Sequence, residues 1–419
     1  MDLALKTEDA EFRQQILRFL AAHWPREGRA QRWLRSLSAG YETRADVQQW
    51  RVALVEHAFS VPHWPVALGG PSWSARQRSI WDRETTLAKV PDTANFGIVR
   101  MGPLLARFGT PQQRERHLAG IREFREPWCL ACAEPGTGMN LASSQTRAER
   151  RGETYLVTGT KAIRPARGSS QPPGWALLVV AGDGLAGGEP DALRFLLVNL
   201  AGPGIELHRG PPSAANADGP LRVTFSAAEV PGDSELGASG SAQAIWRALF
   251  RDATSSSTRV ARNRIALEGL QQFVRQQAPA GLTGALQAVA VAQAGHEALE
   301  QRLQDSLALA SGAPLLDEPD DRLEELAAGG PIPLPIEALL VLKTQQLEQQ
   351  IAQLAQDALG YYALPNPNPA LLANEGPIGP EYALLAMQGM LSSWGATEDV
   401  AAEQIQWYKD IIAKSALQL

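Results

Sequence analysis

Cysteine is scarce in this sequence, and long apolar runs are absent. Two cysteines in 419 residues are too few for a disulfide framework, which indicates a reducing compartment. No apolar run approaches the ~20 residues that are needed to span a bilayer. The first residues, MDLALKTEDAEFRQQILRFL, lack the basic, apolar and small-residue regions of a signal peptide. These absences predict a cytoplasmic protein without a membrane span.

An excess of positive charge is also lacking. The formal net charge is −6, so bulk electrostatics gives no reason to expect nucleic acid as a partner. The six histidines show no ligand spacing. The pair Cys129 and Cys132 lies within an apolar run, which favours buried core cysteines over a metal or redox site. We therefore expect no metal. Hydrophobic residues make up 44% of the chain, enough for a substantial core.

The hydrophobic pattern divides the chain into three parts. In residues 1–125, apolar positions recur every three or four residues, as in EFRQQILRFLAAHW and RQRSIWDRETTLAKV, which predicts helices. The Pro-, Gly- and Trp-rich stretch 61–73 between them is expected to be an ordered loop or turn. Residues 126–235 contain short apolar runs punctuated by Gly, Pro and Asp, which predicts a β domain. The runs are WCLACAE, TYLVTGTKAI, WALLVVAG, RFLLVNL and LRVTFSAAEV.

Residues 236–419 are expected to be helical again. Helix-period apolar faces cover 244–277 and 284–310, and 331–360 has a proline-flanked start and a glycine at its end. A last helix is expected over 397–413, and the Pro-, Gly- and Asp-rich segment 311–335 is expected to be an exposed loop. The predicted order is therefore α, then β, then α.

Six landmarks occur along this framework in a characteristic order. They are HWPVALGG (63–70), GPLLARFGTPQQRERHLAGI (102–121), CAEPGTGMNLASSQTRAERRGETYLVTGTKA (132–162), AEVPGDSELG (228–237), LAQDALG (354–360) and GATEDV (395–400). Together they resemble the acyl-CoA dehydrogenase family. The resemblance implies an α+β fold with an N-terminal helical domain, a central β-barrel and a C-terminal four-helix bundle.

The resemblance also implies a chemistry. Members of the family desaturate acyl-CoA thioesters: a carboxylate base removes the α-proton while the β-hydrogen leaves as hydride to FAD. They are usually homotetramers. Each FAD lies between the β domain of one subunit and the C-terminal helices of its neighbour.

The family's catalytic carboxylate has no clear counterpart here. Where relatives carry a Glu near the C-terminus, this sequence has Trp394 or Gly395. Other relatives have a Glu-Arg pair on the first C-terminal helix, and here the order is Arg251-Asp252. Asp252 is a weak candidate base, and the alternative is that the two residues form a solvated ion pair. Glu398 is also a weak candidate.

The flavin loop keeps its glycines but not its polar side chains. Ala133 stands where relatives have Thr or Ser, and Met139 stands after Gly138 where relatives have Ser. Pro165 replaces a hydroxyl residue and has no N–H to offer. Ala133, Gly138 and Met139 thus form a degenerate flavin loop, although its backbone N–H groups remain able to hold a phosphate.

The C-terminal signatures are better preserved. Gln356, Gly360, Thr397 and Glu398 match positions that in relatives reach a neighbouring subunit's FAD. The family's Arg-Xaa-Xaa-Phe-Gly contact to ADP keeps only Arg275.

These features resemble the subunits of heteromeric (α2β2) acyl-CoA dehydrogenases that degrade steroid side chains. The leading hypothesis is a degenerate subunit that completes the flavin site of a catalytic homologue acting on a bulky acyl-CoA. One alternative is a complete homomeric dehydrogenase with an atypical base. Another is a structural homologue without flavin.

Overall fold

The computed structural model of the chain describes residues 7–24, 44–91, 95–135, 144–163, 173–181, 193–210, 221–238, 240–250, 256–277, 283–311, 334–359, 408–409 and 412–413. Along these residues the elements follow the predicted order of helices, strands and helices. The domain boundaries at 125 and 235 stay a prediction.

The N-terminal part consists of helices joined by ordered loops. The helices are α1 (Thr7–His23), α2 (Ala45–Glu56), α3 (Ala75–Leu87), α4 (Gly102–Phe108) and α5 (Pro111–Arg122). Capping boxes Ser74–Gln77 and Thr110–Gln113 start α3 and α5, because side chain and backbone satisfy each other's unpaired groups there. The loop over 61–73 is ordered as expected and includes a short 3-10 turn, Val66–Leu68.

The central part is a curled, mixed seven-stranded sheet. Its strands are β1 (Trp128–Ala131), β2 (Arg147–Arg151), β3 (Thr154–Ile163), β4 (Trp175–Ala181), β5 (Leu193–Asn199), β6 (Ile205–Arg209) and β7 (Leu221–Pro231). The strand order is β1-β4-β2-β3-β7-β6, and β5 pairs with β4. The sequence pattern misses β6, because its residues IELHR carry only two apolar side chains.

Gly159, near the end of the landmark 132–162, has a backbone conformation that requires glycine. Gly159 lies inside β3, at an irregularity in the pairing of β3 with β7. Its φ is +140°, and a Cβ there would lie 2.6 Å from the Cα of Thr146, so a side chain at this position would clash with backbone. The turn that joins the antiparallel strands β2 and β3 contains Gly152, where φ is +64°.

The two cysteines occupy opposite faces of the β1 strand and its extension. Cys129 packs in the core inside the curled sheet, and Cys132 packs in the core that the sheet shares with the N-terminal helices. Burial raises the pKa of Cys129 to about 12. Both side chains are buried, which agrees with the prediction of core cysteines.

The C-terminal part contains α6 (Ala242–Phe250), α7 (Ser256–Gln277), α8 (Thr283–Ser311) and α9 (Leu334–Leu359). Helices α7, α8 and α9 pack around one apolar core, and α3 packs against α7 and α8. Tyr408, from the region of the expected last helix, is buried against α9. The expected loop falls largely outside the described residues. No helix in the described ranges is long and apolar enough to cross a membrane.

Candidate functional site

A buried lysine lies beside the flavin-loop signature. Lys161 in β3 is fully buried. Its ammonium donates to the Cys132 carbonyl at 3.0 Å, to the Glu134 carboxylate at 2.9 Å and to the Ser144 hydroxyl at 3.2 Å. A buried ammonium is strongly destabilising unless it is paired and hydrogen-bonded, and here its three donors face three acceptors.

Glu134 receives donors from the far end of the same loop. Its carboxylate accepts hydrogen bonds from the Ser144 hydroxyl, the Gln145 N–H at 2.7 Å and the Thr146 N–H at 3.0 Å. Burial by itself raises the pKa of a carboxyl, but these bonds and the Lys161 ammonium outweigh it and lower the pKa of Glu134 to about 2. Glu134 is thus ionised at neutral pH. We call Glu134, Ser144 and Lys161 the buried clamp.

Ala133 lies directly beside the buried clamp. Its carbonyl accepts the Ala162 N–H at 2.8 Å, which ties the chain after β1 to the end of β3. Its methyl group packs against the core between the sheet and the N-terminal helices. The position where relatives present a hydroxyl is therefore apolar here. Gly138, Met139 and Pro165 lie outside the described residues.

The sheet face below Ala133 is filled by the chain's own side chains. Cys132, with Leu130 beside it, packs in a core that includes Met101 from the turn before α4 and Ile245 and Leu249 from α6. All members of this core are apolar. This side of the sheet is therefore occupied by the packing of apolar side chains.

Of the residues predicted to contact a neighbouring subunit's FAD or to act as base, the structure describes only Gln356 and Arg275. Gln356 is half-buried on α9, and Arg275 is exposed near the end of α7. Asp252, Gly360, Thr397 and Glu398 lie outside the described residues. Their predicted roles stay predictions.

A second polar cluster fixes the exit from the β domain. The Tyr155 hydroxyl donates to Glu235 at 2.6 Å, and Arg194 donates to the same carboxylate at 2.9 Å. Gln113 of the α5 capping box donates to the carbonyls of Asp233 and Glu235. Two of the sequence landmarks, GPLLARFGTPQQ and AEVPGDSELG, thus touch each other through Gln113.

A third polar set lies where α3 meets the C-terminal helices. Ser79 and Ser257 share a hydrogen bond of 2.7 Å, and Arg83 pairs with Glu300 at 3.2 Å. His296 of α8 is buried, neither ring nitrogen has a hydrogen-bond partner among the described residues, and its Nε2 lies 3.8 Å from Glu300. Burial lowers the pKa of His296, against the opposing effect of Glu300.

Sequence reasoning missed the roles of Glu134, Ser144 and Lys161. A signal was present, because Glu134 and Lys161 are charged residues that lie within the apolar runs WCLACAE and TYLVTGTKAI. A lysine at an inward position of a strand requires an acceptor, and Glu134 was the nearest acidic residue before the loop. For the part of the chain that the structure describes, no group of three or more His, Cys, Asp or Glu side chains is placed to hold a metal ion.

Comparisons with known proteins agree with the fold. No protein-family model matches the chain. An acyl-CoA dehydrogenase named IpdE1 from Mycobacterium tuberculosis is 33% identical over 199 residues, which are 47% of this chain and 50% of the relative. The protein of the same name from Mycolicibacterium smegmatis is 30% identical over 212 residues, which are 48% of this chain and 53% of the relative. The chain thus matches about half the length of these curated relatives.

Solved structures match over the whole chain. The "Tcur3481-Tcur3483 steroid ACAD" has a TM-score of 0.71 at 16% identity and covers 100% of this chain and 99% of its own. The ChsE4–ChsE5 complex from Mycobacterium tuberculosis has a TM-score of 0.70 at 17% identity with the same coverage. At these identities the likeness shows the fold.

In sequence the chain is similar to acyl-CoA dehydrogenases over about half its length, and it has the acyl-CoA dehydrogenase fold. Its structure resembles the steroid ACAD and the ChsE4–ChsE5 complex.

Proposed function

We propose that the chain is a subunit of an FAD-dependent acyl-CoA dehydrogenase that desaturates a bulky acyl-CoA, such as one with a steroid side chain. In this proposal it is the degenerate partner of a catalytic homologue in an α2β2 tetramer. The scarcity of cysteine supports a cytoplasmic location. The observation that carries the proposal is the pairing of an apolar Ala133 with a Glu134 that is already fully hydrogen-bonded.

In this proposal the described flank of the loop contributes no side-chain contact to a flavin ring. Ala133 offers no side-chain donor, and Glu134 is ionised and bound to Lys161, so it is not free to take a substrate proton. We therefore derive no step of the reaction through a flavin held by this chain's own loop.

The proposed contribution of this chain lies in its C-terminal part. Gln356, Gly360, Thr397 and Glu398 would contact the FAD that the catalytic homologue binds. That FAD would supply the hydride acceptor. The names of the structural neighbours support this assembly, since two of them name two components and one of those names a steroid ACAD.

The test is to purify the chain alone and together with a homologue encoded beside it. Native mass, absorbance near ~450 nm from flavin and turnover of a bulky acyl-CoA are measured in both samples. We expect flavin and turnover in the complex only. Stoichiometric FAD and turnover with the chain alone would overturn the proposal, and loss of that turnover in Asp252→Asn with FAD retained would then identify an atypical base.

A variant pair separates a shared flavin site from simple association. In the complex, Glu398→Gln and Gln356→Ala are expected to lower the flavin content. The matched control is Gln349→Ala, an exposed residue on the same helix as Gln356. If both variants leave the complex and its flavin content unchanged, the result would support the alternative in which this chain is a structural homologue that takes no part in the flavin site.

A further inference from the structure

The buried clamp connects three separate segments of the sheet. Cys132 and Glu134 follow β1, Ser144 precedes β2, and Lys161 belongs to β3. All of them meet at one ammonium group, within 2.9 to 3.2 Å. The residues at the two ends of the segment 135–143 are therefore bonded to each other and to the strand beside them.

The bonds of the clamp are all made between residues of the chain itself. The carboxylate of Glu134 receives one bond from Lys161 and three from the residues just after the segment, Ser144, Gln145 and Thr146. Glu134 is 7% exposed and Lys161 is 0% exposed, so water does not substitute readily for these bonds.

We propose that Glu134 and Lys161 are positioning residues that hold both ends of the segment 135–143 together without help from a flavin. The inference rests on the proposed function only in identifying that segment as the family's flavin loop. A subunit without the polar flavin contacts would then still hold residues 134 and 144 close together, because Lys161 bonds residues on both sides of the segment.

Hydrogen–deuterium exchange of the isolated, full-length chain tests this proposal. The peptide over residues 144–148 contains the amides of Gln145 and Thr146, which donate to Glu134. In Lys161→Gln and in Glu134→Gln we expect these amides to exchange at least ~10-fold faster, as expected for loss of local protection. Strand β7 should change little.

The matched control is Arg194→Gln, which breaks another ion pair of the same sheet with the same 2.9 Å distance. If it accelerates exchange over 144–148 as much as Lys161→Gln does, the effect is a general loosening and the proposal is overturned. Should the lysine variant fail to fold, Glu134→Gln decides, because it removes the carboxylate charge that faces Lys161 and keeps the size of the side chain. Unchanged exchange over 144–148 in Glu134→Gln overturns the proposal.

Measuring exchange with and without added FAD distinguishes a failure of this inference from a failure of the proposed function. We expect FAD to leave exchange over 144–148 unchanged in the unmodified isolated chain. Strong protection that appears only with FAD overturns the inference. Stoichiometric flavin in the isolated chain with exchange already slow before FAD is added defeats the proposed function and leaves the clamp in place.

Discussion

Two ion pairs of the sheet share a distance and differ in their surroundings. Lys161–Glu134 and Arg194–Glu235 both have nitrogen–oxygen distances of 2.9 Å. The side chains of the first pair are 0% and 7% exposed, and those of the second are 30% and 27% exposed. Because a buried charge without its partner has no water to replace it, equal geometry does not imply equal energy.

The largest effect is expected from Lys161→Met. It leaves the Glu134 carboxylate buried without its cation, which costs about 3–5 kcal/mol for buried pairs in general. Chemical denaturation measures the loss of unfolding free energy. The double variant Lys161→Met/Glu134→Leu should lose less unfolding free energy than the sum of the two single variants, because it leaves neither charge of the pair buried alone. A double variant that is as unstable as the sum of both single variants would contradict this account.

A smaller effect is expected from Arg194→Met. Glu235 keeps the hydrogen bond from the Tyr155 hydroxyl and is partly hydrated, so the loss should be about 1 kcal/mol or less, as for exposed pairs. The same denaturation experiment measures it. A loss as large as that of Lys161→Met would mean that burial is not what separates the two pairs.

The buried clamp and the polar set around His296 also predict different responses of stability to acid. Glu134 has a lowered pKa, so its contribution is present above the unfolded value of 4.5 and is lost only as the pH falls towards about 2. His296 has a pKa lowered from 6.5 by burial, so the folded state binds fewer protons and stability falls as the pH drops below 6.5. Thermal unfolding between pH 7.5 and 5.5 should therefore show a decrease that His296→Leu removes. An unchanged pH slope in His296→Leu would count against this assignment.

The smallest effect is expected at the exposed end of β2. Arg151 and Glu149 pair at 3.3 Å with side chains 67% and 63% exposed. Arg151→Met should change the unfolding free energy by less than about 0.5 kcal/mol, because exposed ion pairs contribute little. Chemical denaturation of this variant beside Lys161→Met compares the most exposed ion pair with the most buried one of the three. A loss of unfolding free energy above about 1 kcal/mol would show that Arg151 makes a stabilising contact besides Glu149.

Local patterns in the sequence predict most of the fold. The run TYLVTGTKAI coincides with β3, and the helical periods of 284–310 and 331–360 coincide closely with α8 and α9. These elements follow from side-chain period and from capping, which neighbouring residues determine. Strand β6 was missed because it is short and half polar, and pairing with β7 is what defines it.

The site was less predictable because it depends on contacts between distant segments. Ala133 could be read from its place before Glu-Pro-Gly. The bonds of Lys161 to Glu134 and Ser144 could not, since they span 27 and 17 positions of sequence. The position of Gly159 within a strand likewise follows from the close approach of Thr146.

The placement of the two cysteines has a practical consequence for studying the proposed assembly. Both sulfur atoms are enclosed by core side chains, and the raised pKa of Cys129 keeps that thiol protonated and unreactive. A single cysteine introduced at an exposed position, such as Gln349 on α9, should therefore react selectively with a maleimide probe without removal of the native thiols. Fluorescence or spin labels could then report directly on the distance between this chain and a partner subunit.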